Sequence, residues 1–345
     1  MRIVPVLIET LLYLTLHHCR SLNQPVDVVL IHAFPLRERC DPDRTSPFCL
    51  HVALDIGCSS RKNNGMRSRT FILAAILLAF AFFIRASTGG DILRVRDGAV
   101  ISYDRMIQEI RNADIVFVGE VHDEPAHHDM ELRIIRSLHE SNLPLSVGLE
   151  MFRSDSQQDL NSWVSGSSSL EQFLPSYYDN WRQPWPAYRG IFLYAREHQI
   201  PLVGLNIPSD ITKAVARSGF LALNAEQKQL LPPGISCNID PTYMQFIRQA
   251  YAGHAQQEDK RFLNFCEAQM VWDKSMAWNL IEYQKKSPGK TTVVLSGVGH
   301  AWKRGIPEQV AQQSSFTYKV VLPLIPGQIE RKTVSLLDAD YVVLR

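Results

Sequence analysis

Four short apolar runs, each ending in glycine or a polar residue, constrain this chain more than any other feature. They are Ile115–Glu120 (IVFVGE), Leu145–Glu150 (LSVGLE), Leu202–Asn206 (LVGLN) and Val293–Gly299 (VVLSGVG). Continuous stretches of branched aliphatics bounded by turn residues read as strands of a parallel sheet buried on both faces. Helical patterns separate them: Tyr103–Asn112, Pro125 to about His139, a helix from Ser154, Ser209–Ser218 and a long amphipathic helix over Lys260–Lys286. Alternation of this kind predicts an α/β fold, a mostly parallel sheet flanked by helices. A smaller helical subdomain falls at about 209–286. Residues 93–103 read as a small hairpin around Asp97-Gly98, and Tyr318–Pro323 and Tyr341–Leu344 as closing strands.

In open α/β sheets ligands bind in the crevice beyond the carboxyl ends of the strands. Glu120, His122, Glu150, Asn206 and His300 all lie there by sequence, so they are expected to meet at one rim. Carboxylates beside imidazoles suit acid–base chemistry or the binding of a divalent metal such as zinc, iron or manganese. His127 and His128, with Glu131 four residues beyond His127, sit on the following helix, where they face solvent or add a ligand. No H-E-x-x-H, C-x-x-C, G-x-S-x-G or phosphate-binding glycine loop fixes the chemistry further.

The first ninety residues differ from the rest. Residues 1–65 hold four of the six cysteines and show no sustained period. Met66-Arg67-Ser68-Arg69, the apolar run 71–84 and Ala86-Ser87-Thr88-Gly89-Gly90 then follow the layout of a secretory signal. The expected organisation is an upstream extension or disordered leader at 1–65, a signal peptide or N-terminal anchor at 66–90, and the α/β domain at 91–345. Translation from Met66 accounts for that order, and the run lies short of the ~20 apolar residues of a full span. No cysteine follows it to carry a lipid. Export leaves Cys237 and Cys266 either paired as a disulfide or buried as free thiols. A net charge of +1 argues against a nucleic-acid partner, because no basic excess exists to neutralise phosphates.

Residues 170–196 concentrate aromatic side chains: Phe173, Tyr177, Tyr178, Trp181, Trp185, Tyr188, Phe192 and Tyr194. Such a stretch is either core packing or the wall of a haem slot. For the latter a tyrosine can ligate iron, and Arg182, Arg189 and Arg196 can meet propionates. The absence of C-x-x-C-H excludes covalent c-type attachment.

The ordered set Gly119-Glu120-Val121-His122-Asp123 with His127-His128, Gly148-Leu149-Glu150-Met151-Phe152, Leu205-Asn206-Ile207-Pro208, Phe265–Asp273 and Gly297-Val298-Gly299-His300 resembles the ChaN-like family over about residues 95–325. Members are iron-regulated haem-binding proteins of the bacterial envelope. The resemblance implies non-covalent haem, a tyrosine ligand, a histidine near the iron, a homodimer across the cofactor and a place in envelope haem transport. Tyr188 is the first candidate ligand, followed by Tyr178 and Tyr243. The same pattern is similar to the wider Tiki/TraB and erythromycin-esterase-like group. There it implies a metal-dependent or general-base hydrolase, with Glu120, His122, Glu150 and His300 catalytic or metal-binding.

Overall fold

The computed structural model describes residues 32–33, 54–55, 91–239, 241–250 and 260–344. The expected signal segment at 66–90 lies outside the described residues, as does nearly all of 1–65. Of that first stretch, His32–Ala33 and Leu54–Asp55 pair antiparallel. The chain divides into two compact units, Met1–Ser87 and Thr88–Arg345, and the second holds the predicted α/β domain.

Its strands are β1 (Ile92–Arg94), β2 (Ala99–Ile101), β3 (Ile115–Glu120), β4 (Leu145–Arg153), β5 (Leu202–Asn206), β6 (Thr291–Gly297), β7 (Tyr318–Pro323) and β8 (Tyr341–Val343). They form one sheet in the order β2-β1-β8-β7-β3-β6-β4-β5. Every pairing from β8 to β5 is parallel, and the β1–β2 hairpin adds two antiparallel pairings at one edge. Gly98 turns that hairpin at φ 67°, a left-handed conformation natural to glycine. The mostly parallel α/β architecture is the one expected.

Eleven α-helices are described: α1 (Tyr103–Ile110), α2 (Pro125–Glu140), α3 (Gln157–Val164), α4 (Leu170–Asn180), α5 (Trp185–Glu197), α6 (Ser209–Ser218), α7 (Ala225–Gln229), α8 (Pro241–Ala250), α9 (Lys260–Lys286), α10 (Val298–Ala301) and α11 (Ile306–Gln313). Local chemistry sets several of their ends. Ser102 caps α1 by accepting from the Arg105 N–H, Pro125 opens α2, where no intrahelical N–H is required, and Ser169 with Gln172 forms a capping box on α4.

Side chains alternate across a strand, so the central strands feed two cores. Val116, Val118, Val147, Leu149, Val293 and Leu295 face α1 to α5. Ile115, Phe117, Val203, Leu205 and Val294 face α9 and α11. Most of the aromatic run at 170–196 belongs to the first core. Phe173 stacks on Trp163 with ring centroids 4.5 Å apart, and the Trp163 indole N–H donates to the Phe192 carbonyl at 2.9 Å. Two of the prolines in this stretch mark a helix start, since Pro184 precedes α5 and Pro186 lies in its first turn, whereas Pro175 lies inside α4. Cys266, Met270, Met276, Leu280 and Ile281 of α9 share a core with Phe117 of β3. Ile211, Val215, Leu223 and Leu231 form a third core with Ala268 and Val271 of α9.

One irregularity shapes the site. The pairing of β4 with β5 changes register between Leu149 and Arg153. A Cβ at Gly204 would overlap the Arg153 carbonyl, so the close crossing requires glycine there. Glu150 lies in that irregular segment. Among the described residues no helix is long and apolar enough to cross a membrane.

Candidate functional site

Glu120 ends β3 beside Gly297 at the end of β6, and β4 delivers Glu150 on the other side. The Glu150 carboxylate accepts the Gly297 N–H at 2.6 Å, while the Asn206 amide of β5 donates to the Glu150 carbonyl at 2.8 Å. His122 follows β3, and its ring lies over Gly297: a Cβ there would fall 2.9 Å from His122 Cε1. His300 comes in on α10. Glu120, His122, Glu150, Asn206 and His300 thus do share the crevice at the strand ends.

Two relays of the same composition line it. In the first, Glu120 is buried and its Oε1 accepts from the Tyr188 hydroxyl at 2.6 Å and from His122 Nδ1 at 2.7 Å. Its Oε2 lies 3.0 Å from His128 Nε2, without hydrogen-bond alignment. Burial alone would raise the Glu120 pKa, but the hydrogen bonds from His122 and Tyr188, with His128 close by, overcome it and hold the carboxyl at about 2. Burial pulls His122 down, yet Glu120 and Glu150 outweigh it and the net shift is upward. Half-exposed Trp181 meets the His122 ring edge-on at 4.8 Å. The second relay runs from Tyr243 through Asp273 to His300. The Tyr243 hydroxyl donates to Asp273 Oδ2 at 2.9 Å, and His300 Nδ1 donates to Asp273 Oδ1 at 2.6 Å. Against burial, Glu150 and Asp273 push His300 up to about 9. Burial raises Asp273 itself. Trp272 packs edge-on against His300 at 5.6 Å, as Trp181 does against His122.

Glu131 sits behind the first relay. It is fully buried on α2 and neither carboxyl oxygen makes a well-formed hydrogen bond. Burial, then the neighbouring Glu120 charge, pushes its pKa well above the ordinary carboxylate value, which favours the protonated form.

Three features differ from the sequence reading. His128 and Glu131 face the core, not solvent, and His127 is a structural group whose Nδ1 accepts the Val121 N–H at 3.0 Å. Asp273 and the tie between Tyr243 and it were missed. Extending the apolar faces finds both acids: Glu131 lies one turn before Ile134 and Ile135, and Asp273 lies between Met270 and Met276. The expected metal set is the third. Among the described residues no group of three or more His, Cys, Asp or Glu side chains is arranged to hold a metal ion. Glu120, Glu150 and the Nδ1 atoms of His122 and His300 are instead committed to hydrogen bonds.

The candidate haem residues separate by accessibility. Tyr188 and Tyr243 are buried at 0% and 1%, whereas Tyr178 is 50% exposed and its oxygen accepts the Trp185 N–H at 3.2 Å. Arg182 and Arg189 are exposed. Cys237 and Cys266 are both free, with burial pushing their thiols up to about 12 and about 11.

A family model described as haem-binding uptake, Tiki superfamily, ChaN matches residues 106–310. Among solved structures, one described as cofacial haem binding to ChaN of Campylobacter jejuni aligns with TM-score 0.57 at 22% identity, covering 73% of this chain and 94% of that one. A mutant of the erythromycin esterase EreC in its open conformation aligns with TM-score 0.41 at 13% identity, over 65% and 73% of the two chains. The type III effector HopBA1 aligns with TM-score 0.42 at 12% identity, over 70% and 91%. No curated protein matches the sequence.

Proposed function

The chain belongs to the family of haem-binding uptake, Tiki superfamily, ChaN, and from that membership we propose that it is an exported protein of the cell envelope that captures or stores haem non-covalently in iron acquisition. The observation that carries the assignment to particular residues is the exposed phenol of Tyr178. A ferric iron takes a tyrosine oxygen as axial ligand. Tyr178 offers one to solvent, while the hydroxyls of Tyr188 and Tyr243 are already given to buried carboxylates. Arg182 and Arg189 project from the following turn and helix start as cations suited to propionates. Bound haem would supply the redox-active iron, and the protein would supply the phenol oxygen, the cations and an apolar wall. A haem on so exposed a ligand leaves one face open, which a second copy of the chain would cover.

Export rests on the basic and apolar layout of residues 66–90. Absorption-monitored haemin titration of the full chain tests the binding, with sizing chromatography on the same samples. Saturable uptake with a tyrosinate-type spectrum is expected, lost in Tyr178→Phe, retained in Tyr188→Phe and accompanied by dimerisation. Equal uptake by wild type and both variants would refute tyrosine ligation.

A second reading is favoured by the paired relays: the crevice performs acid–base hydrolysis. The Nδ1 of His122 is tied to Glu120, leaving Nε2 as the atom to take a proton from water, and His300 at about 9 supplies a cation opposite. Chromogenic ester turnover by wild type that vanishes in His122→Ala supports it; turnover unchanged in that variant removes it.

A further inference from the structure

Far along α2 and α5 from the crevice ends of those helices, a second histidine cluster is used by neither reading. His139 lies in the last turn of α2, and His198 is the C-cap of α5. Their rings are 4.9 Å apart, tilted by 53°. Tyr194 packs against both, with its hydroxyl 2.9 Å from His139 Nδ1 and its ring 4.2 Å from that of His198. From this juxtaposition of two imidazoles around one phenol we propose a surface site for a borderline divalent transition cation, of the zinc or nickel type, ligated by His139 and His198.

Three physical features support the assignment. Metal-bound histidines characteristically donate their second ring N–H to a fixed acceptor, which sets the tautomer. In the tautomer that carries its proton on His139 Nδ1, the Tyr194 oxygen is such an acceptor and Nε2 holds the free lone pair. Neither His139 Nε2 nor the His198 ring makes a hydrogen bond among the described residues, although His198 is exposed and His139 half-buried. The field also suits a cation. Two helix C-termini meet here, each carrying partial negative charge, and each histidine has a glutamate beside it, Glu140 and Glu197. Both glutamates act on Tyr194, whose pKa is raised first by burial and then by their charge. The opposing charge is Arg136, whose guanidinium lies 5.1 Å over the Tyr194 ring. Two imidazoles are fewer donors than a closed structural zinc site holds, so water completes the shell. Imidazole with water selects zinc, nickel or copper over magnesium or calcium.

Calorimetric titration of the full chain with zinc alone, then nickel alone, at pH 7.5 tests the site. The variants are His139→Ala, His198→Ala, Tyr194→Phe and the crevice pair His122→Ala/His300→Ala, each checked for an unchanged melting profile. One binding step is expected to weaken at least ~10-fold in either single histidine variant and a few-fold in Tyr194→Phe. It should persist in the crevice pair. Other cysteine and histidine sites on the chain contribute equally to every titration and cancel in the comparison. Identical isotherms for wild type, His139→Ala and His198→Ala would overturn the proposal, as would loss of the step only in the crevice pair. His198 is exposed, so its variant keeps the test decisive even where His139→Ala fails to fold.

Discussion

Replacing Asp273 with asparagine tests the electrostatics of the crevice most directly. His300 is held at about 9 by two carboxylates against the penalty of burial, and Asp273 is in direct contact at 2.6 Å. Unit charges about 4 Å apart interact with about 4 kcal/mol at an effective dielectric near 20. One pKa unit corresponds to about 1.4 kcal/mol, so removing the charge should lower the imidazole by roughly two to three units, from about 9 to about 6–7. The amide keeps the shape and still accepts from Nδ1, which isolates charge from packing. The folded-state pKa of His300 lies above its unfolded value of about 6.5, so its stabilisation is fully present below that pH and is lost as pH rises through 9. The shift sets a ceiling of about 3 kcal/mol on this loss. Burial raises Asp273 as well, which means part of the pairing energy offsets the desolvation of that carboxylate and the net loss falls below the ceiling. The imidazole defines the pH window. The assay is a histidine NMR titration from pH 5 to 10, with His300 assigned by His300→Gln, alongside urea unfolding at pH 6, 7.5 and 9. Wild type should lose stability across that window, and Asp273→Asn should be nearly flat. A wild-type His300 titrating near 6.5, or one still titrating above 8 in the variant, would refute the reasoning.

Glu131→Gln should stabilise the protein at pH 8 relative to wild type. Folding forces the Glu131 carboxyl to take up a proton above pH 4.5, so the advantage should shrink toward pH 5; urea curves giving the reverse order would count against a neutral Glu131. Gly297→Ala places a Cβ 2.9 Å from His122 Cε1 and 3.1 Å from its Nε2, displacing the ring from Glu120. A cost of about 1–3 kcal/mol is expected, together with a His122 pKa moving back toward its ordinary value, and an unaltered His122 titration would show that the ring is held some other way.

How far the chain could be read in advance depends on the distance over which each pattern is written. The strands β3, β4, β5 and β6 are local signals, because burial on both faces demands unbroken apolar runs. The same runs place Glu120, His122, Glu150 and His300 at strand ends, which is why their meeting was legible. Sheet order is not local. β6 is inserted between β3 and β4 although a long helical excursion separates it from both, and the side-chain hydrogen bonds that accompany its backbone ladders are individual ones. Ser146 meets the Thr292 hydroxyl at 2.8 Å, and Thr292 in turn donates to Gln284 of α9 at 2.7 Å. Nothing in the spacing of Ser146, Gln284 and Thr292 announces that they touch.

The relays fail to show in the sequence for a further reason. A charged residue on an otherwise apolar helix face reads as an interruption of that face, and polarity then argues for solvent. Glu131 and Asp273 invert this inference: Asp273 is buried with His300 and Tyr243 as its partners, and Glu131 is buried behind Glu120, where its pKa is raised. The same holds for Tyr188, which within an aromatic run is indistinguishable from Phe192 until the position of Glu120 is known. A strand-end polar group therefore specifies where to search for the buried groups around it: on the buried face of the helix that packs over that strand, at positions where a charge breaks the apolar period. Applied to α2 that rule selects Glu131 and His128, and applied to α9 it selects Asp273, the residue whose charge sets the protonation of His300.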